Sequence, residues 1–249
     1  MAQNKLQLNE DKTEAMLVSS SNLHNPPQSI TVGQNTIDLS SSVKNLGVVL
    51  DNRLNMQGQV LKICQSAFLE LRRIGSIRHI LNQDATKTLV TSFVLSRLDY
   101  CNALLAGTPL NLIQKLQRVQ NFAARLICKA SKRDHITPLL ASLHWLPVHD
   151  RIQYKIACMC FTCLSGTAPP YLAELVHLYC PSRTLRSSSD TRLLRIPHRK
   201  KKSQGQRSFE YVAPVIWNKL PHHIRHADSY AAFKSNLKTH LFRSATPQE

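Results

Sequence analysis

The chain has 249 residues, 43% of them hydrophobic, and 32 Lys and Arg against 15 Asp and Glu, for a formal net charge of +17. No run of about 18 apolar residues is present to span a bilayer, and the N-terminus lacks the basic start and apolar stretch of a signal peptide. Seven cysteines, an odd number at irregular spacings, fit reduced thiols inside a cell better than a secreted disulfide framework.

Near the N-terminus, residues 12–18 and 44–51 each read as a strand. Between them, residues 30–32 and 36–39 flank Gly33, Gln34 and Asn35, a short hairpin loop. From Gln57 the apolar positions Val60, Cys64, Ala67, Leu71 and Ile74 recur at steps of four and three, the period of an amphipathic helix. Leu61 and Phe68 widen its apolar stripe, and Arg72, Arg73 and Arg78 are expected exposed at its end. Asp84 is the expected cap of a helix that turns Leu89, Phe93, Val94 and Leu98 inward.

Thr108 and Pro109 then read as an N-cap followed by proline at the first helical position. That helix is expected to bury Leu112, Leu116, Val119, Ala123, Leu126 and Ile127, and to expose Lys115, Arg118, Arg125 and Lys129. Thr137 and Pro138 repeat the start signal ahead of a short helix ending near residues 144–147. Another helix runs from about Asp150 to Leu164 and stops at Gly166. A short one is expected from Pro169 and Pro170 to about Tyr179. Residues 181–208 read as a loop with one strand at 193–196. Trp217 and Leu220 sit on a short turn or helix, and Ser229 caps a last helix with Phe233, Leu237, Leu241 and Phe242 on its apolar side. The expected fold is mainly α, with a small N-terminal antiparallel sheet.

Charge divides along the chain. Residues 1–55 hold four Lys and Arg against five acids, whereas residues 56–155 and 156–249 each hold fourteen against five. A neutral sheet ahead of a cationic helical body points to a polyanion, with nucleic acid as the expected partner. The basic residues are spread over several helices, unlike the single amphipathic face of a membrane-surface helix.

The order of these pieces resembles the C-terminal part of the reverse transcriptase protein of LINE-type (non-LTR) retrotransposons. Residues 9–14 (Asn-Glu-Asp-Lys-Thr-Glu) look like the segment that follows the catalytic aspartates of that family's palm, and residues 44–51 look like its primer-grip hairpin. Residues 96–102, 117–125 and 135–138 are similar to signatures of its thumb and beyond, as are residues 143–148, 213–221 and 233–242. The resemblance implies a palm remnant over 1–55, a helical thumb over 56–130 and a basic C-terminal region over 131–249. Met1 then resembles an internal position of the palm, as though the chain began within a domain. It further implies RNA and DNA partners held largely through phosphates, no small-molecule substrate, and a nuclear or cytoplasmic location. The expected contact residues are Lys44, Leu46, Gly47, Arg118, Arg125, Lys129, Lys132, Arg133, Arg199, Lys200, Lys201 and Lys202.

In the family, an Ala-Asp-Asp turn and a third aspartate hold the two metal ions of phosphoryl transfer. No Asp-Asp pair occurs in this chain. The expectation is a nucleic-acid-binding fragment without polymerase activity or cofactor, Mg2+ belonging to a full-length enzyme. The alternatives are an incomplete record of such an enzyme, or a decayed copy.

Other residue groups suggest chemistry more weakly. Cys158, Cys160 and Cys163, with His177 and Cys180 downstream, match no standard zinc spacing and lie among Ile156, Met159, Phe161 and Leu164, so core packing is expected. Trp145 and Trp217, each in an apolar context, are expected to anchor the core rather than stack on bases. His135 and His144 are expected to pack around Trp145, and no histidine has a recognisable nucleophile or carboxylate partner.

Overall fold

The computed structural model describes residues 12–19, 24–33, 35–180, 192–198 and 205–245. The chain is mainly helical, with a small antiparallel β region ahead of the helices. It divides into two compact units, Met1–Lys62 and Ile63–Glu249, so the boundary falls inside the first long helix.

In the first unit, β1 (Ser29–Val32) pairs with β2 (Asn35–Asp38), and β3 (Ser42–Asn45) with β4 (Val48–Asp51), giving two hairpins rather than one sheet. Residues 44–51 are therefore not one strand. The chain reverses at Leu46 and Gly47, whose φ angles of 46° and 84° give the paired positive values of a type I′ turn. Residues 12–18 form no strand either: only Ala15 pairs, in an isolated parallel bridge to Leu39. The Asp51 carboxylate accepts the N–H groups of Arg53, Asn55 and Met56 at 2.9–3.1 Å. Those bonds hold a turn in which Leu54 and Met56 both take positive φ.

The second unit is built from helices on one core. α1 (Gln57–Ser76) buries Ile63, Ala67, Leu71 and Ile74, while Leu61 is exposed. Arg78 is not a free surface cation. Its guanidinium donates to the carbonyls of Leu81, Leu126 and Ile127 at 2.7–2.9 Å. α2 (Gln83–Val90) is capped by Asn82, whose side chain accepts the Ala85 N–H, and not by Asp84. It continues through a π-helical turn (Thr91–Leu95) into α3 (Ser96–Asp99). The wider turn takes one more residue, so the buried face passes from Val90 to Val94, Leu95 and Leu98, and Phe93 is turned out.

α4 (Leu110–Cys128) starts after Pro109 without a side-chain cap, because the Thr108 hydroxyl donates to Leu105 O instead. Likewise α5 (Ile136–Ser142) begins after His135, one residue before Thr137. Both departures have one cause: the helices are fixed by packing, not by hydroxyl caps. A polar seam joins α4 to α6 (Val148–Leu164). The fully buried Gln120 donates to Leu146 O at 2.9 Å, and the Gln117 Oε1 accepts the Val148 N–H at 2.8 Å. α4 and α6 belong to one compact unit.

Gly166 ends α6 at φ 67°, as the sequence suggests. α7 (Pro170–Ala173) is only one turn long, and residues 193–196 contribute a single bridge, Leu178 to Leu194, instead of a strand. α8 (Phe209–Asn218), α9 (His222–Arg225) and α10 (Tyr230–Ala245) complete the unit, with Ser229 Oγ capping α10 at Ala232 N. Phe161, Phe233 and Trp217 stack in series, with centroids 4.5 and 5.6 Å apart. Trp145 and Trp217 are both buried, so each anchors the core. His135 and His144 are exposed and do not join them.

Cys158 and Cys160 are buried on α6, and burial pushes both thiols up from 9.0. The unfolded chain ionises these thiols near pH 9 while the folded chain keeps them protonated, so they favour folding below about pH 9 and withdraw that support as pH rises further. In the native chain at about pH 8, Cys101 and Cys180, both exposed, should alkylate readily, whereas Cys160 should react only on unfolding. Mass mapping of the labelled thiols checks this, and Cys160 labelling at the rate of Cys101 would contradict it.

Candidate nucleic-acid interface

Along α4, Lys115, Arg118, Phe122, Arg125 and Lys129 follow one another at steps of three, four, three and four. That spacing lays Lys115, Arg118, Phe122 and Arg125 along one helix face, beside the buried Leu112, Leu116, Val119 and Ala123, and Lys129 follows at the C-cap. Phe122 is 43% exposed and meets Phe68 of α1 edge to face at 6.0 Å. An exposed aromatic ring thus sits within a line of cations, the arrangement that suits phosphate contact with base stacking.

At the end of α4 the backbone turns sharply. Lys129 adopts φ 52°, and the Ala130 N–H returns to Arg125 O at 3.0 Å. The loop that follows is braced from within. Arg125 donates through Nε to Ser131 O and through Nη2 to Asp134 O, each at 3.2 Å. Asp134 Oδ2 accepts the Ser131 N–H at 2.6 Å, and the Arg133 N–H reaches Ser131 Oγ at 3.3 Å. The single carboxylate of the loop is therefore engaged with backbone, and Lys129, Lys132 and Arg133 stand exposed around it.

Of the residues expected to contact nucleic acid, Arg118, Arg125, Lys129, Lys132 and Arg133 are brought together in this way. Arg125 differs from the rest: its guanidinium braces the loop, so its loss would move its neighbours as well as remove a charge. Lys44, Leu46 and Gly47 belong to the first unit. Lys44 is exposed, its N–H bonded to Glu14 Oε2 at 3.1 Å, and Leu46 is 84% exposed at the hairpin tip. Arg199, Lys200, Lys201 and Lys202 lie outside the described residues. Lys115 and Phe122, which were not among the expected contact residues, share the three-four spacing of Arg118 and Arg125 that is visible in the sequence.

Among the described residues, no group of three or more His, Cys, Asp or Glu is placed to hold a metal ion. No helix among them is long and apolar enough to cross a membrane. No protein-family model, curated protein or solved structure matches the chain.

Proposed function

We propose that this chain is a nucleic-acid-binding piece of a non-LTR retrotransposon reverse transcriptase, binding RNA and DNA through phosphates without polymerase activity of its own. The continuous cationic face of α4 and its braced loop carry this conclusion. Arg118, Lys129, Lys132 and Arg133 are exposed and make no ion pair with a carboxylate of the described residues, so each is available to a phosphate. Phe122 adds a surface on which an unpaired base can stack. The net charge of +17 draws a polyanion to the surface without specifying sequence. Contacts to phosphate carry no sequence information, so discrimination between sequences is expected to be small.

The test is binding of the whole chain to fluorescein-labelled duplex DNA, RNA–DNA hybrid and single-stranded RNA, read by anisotropy. Dissociation constants of about 10⁻⁴–10⁻⁶ M at physiological salt are expected, with little dependence on sequence. Absence of binding to all three would overturn the proposal. Primer extension above a blank with Mg2+ or Mn2+ would overturn the statement that the chain carries no polymerase activity.

A further inference from the structure

In the second unit, α1 and α4 lie side by side. Phe68 of α1 meets Phe122 of α4 with ring centroids 6.0 Å apart and planes at 75°. Toward the N-terminal side of that pair, burial pushes the Cys64 thiol up while the charge of Lys115 opposes it, which places that ammonium beside α1. Toward the C-terminal side, Arg78 Nε donates to Leu126 O at 2.9 Å. The helices therefore run in the same direction, with the two phenylalanines between these contacts.

The face so formed combines open aromatic surface with positive charge. Phe122 is 43% exposed, and Phe68 is half-buried. Arg118 stands one turn before Phe122 and Arg125 one turn after it, successive turns of a helix being about 5.4 Å apart. Arg72 follows Phe68 by one turn on α1 and is exposed. Arg72, Lys115 and Arg118 form no ion pair with a carboxylate of the described residues. Glu70, the acid nearest to Arg72 in sequence, is taken by Arg73 at 3.4 Å and Arg97 at 3.1 Å. A solvent-facing aromatic ring is thus bordered by cations from two helices.

We propose that this α1–α4 face is a site for unpaired nucleic-acid strand, with phosphates held by Arg72, Lys115 and Arg118 and a base stacked on the Phe122 ring. The proposal rests on the phosphate-binding function above and adds which form of nucleic acid the face takes. A duplex offers its phosphates but keeps its base faces stacked inside, so it leaves Phe122 uncovered. An acidic peptide matches the charge but carries no regular array of flat rings. A single strand presents phosphate and base face together. Stacking tolerates any base, because every base has a π-face, in keeping with the small sequence discrimination expected.

The experiment is anisotropy of the whole chain with a fluorescein-labelled oligothymidylate, an abasic strand of the same length, and duplex DNA. The native chain is expected to bind oligothymidylate at least about fivefold more tightly than the abasic strand, the factor contributed by one stacked base. In Phe122→Leu, which keeps an apolar side chain against Phe68, that ratio should fall to about one. In Phe122→Tyr, which keeps the ring, it should persist. Arg72→Ala/Lys115→Ala should flatten the slope of log affinity against log salt on oligothymidylate by about 1.4, from two phosphate contacts at about 0.7 each. An unchanged ratio in Phe122→Leu, or an unchanged slope in the double variant, would overturn the proposal. Duplex binding with a native ratio near one overturns the single-strand site alone, whereas absence of binding to all three probes overturns the phosphate-binding function on which it rests.

Discussion

Trp217→Ala is expected to destabilise the chain by about 3–5 kcal/mol, the largest single-site effect foreseen here. Trp217 is fully buried and stacks against Phe233 at 5.6 Å, which in turn stacks on Phe161 of α6. Its indole N–H donates to Arg192 O at 2.7 Å, so the side chain joins α6, α8 and α10 to the segment around Leu194. Alanine opens a cavity among rigid aromatic neighbours that cannot collapse into it, and leaves a carbonyl unpaired. Urea denaturation should show a lower midpoint with the same slope. Trp217→Phe keeps the stacking and removes the donor, with an expected loss of about 1–3 kcal/mol. A loss below about 1 kcal/mol in the alanine variant would contradict the placement of this residue at the centre of the core.

The second large effect is expected at Arg78. Its guanidinium closes three carbonyls at once, those of Leu126 and Ile127 at the last turn of α4 and that of Leu81 before α2. Helix C-termini leave carbonyls without partners, and a planar fork of donors satisfies several together. Arg78→Ala should cost about 1.5–3 kcal/mol, and Arg78→Lys should recover little of it, because one ammonium cannot reproduce the fork. Neither variant should alter the salt dependence of nucleic-acid binding, since this charge is spent on the protein's own backbone. A flattened salt dependence in Arg78→Ala, with stability unchanged, would reverse that assignment.

Arg78 also shows where sequence reading stopped. Its position at the end of an amphipathic helix reads as surface, and nothing local signals that the ends of α4 and α2 converge on it. The apolar period located α1 and α4, because burial of one face every three or four residues is written directly in the chain. The π-helical turn at 91–95 changed that period, so Phe93 was assigned to the wrong side. Hydroxyl-proline start signals at Thr108 and Thr137 missed the observed starts by one or two residues, because tertiary packing outweighs a cap. The residues 44–51 read as one strand because their apolar positions continue through Leu46 and Gly47, whereas positive φ at both folds them into a hairpin.

For the candidate interface, the cationic face of α4 was legible from spacing alone, but the bracing role of Arg125 was not. That role depends on the loop returning Ser131 O and Asp134 O to the guanidinium, a tertiary contact without a sequence signature.

The salt dependence of duplex binding, compared between the native chain and the Arg118→Ala/Lys129→Ala/Lys132→Ala/Arg133→Ala variant, tests the central claim most directly. These four side chains are exposed and free of bracing contacts through their charged groups, so their removal should leave the fold intact. Each phosphate contact contributes about −0.9 to the slope of log affinity against log salt on duplex DNA. The variant is therefore expected to bind more weakly and to show a slope flatter by about 2–4. An unchanged slope in a variant that remains folded would contradict the claim that the α4 face and its loop contact nucleic acid.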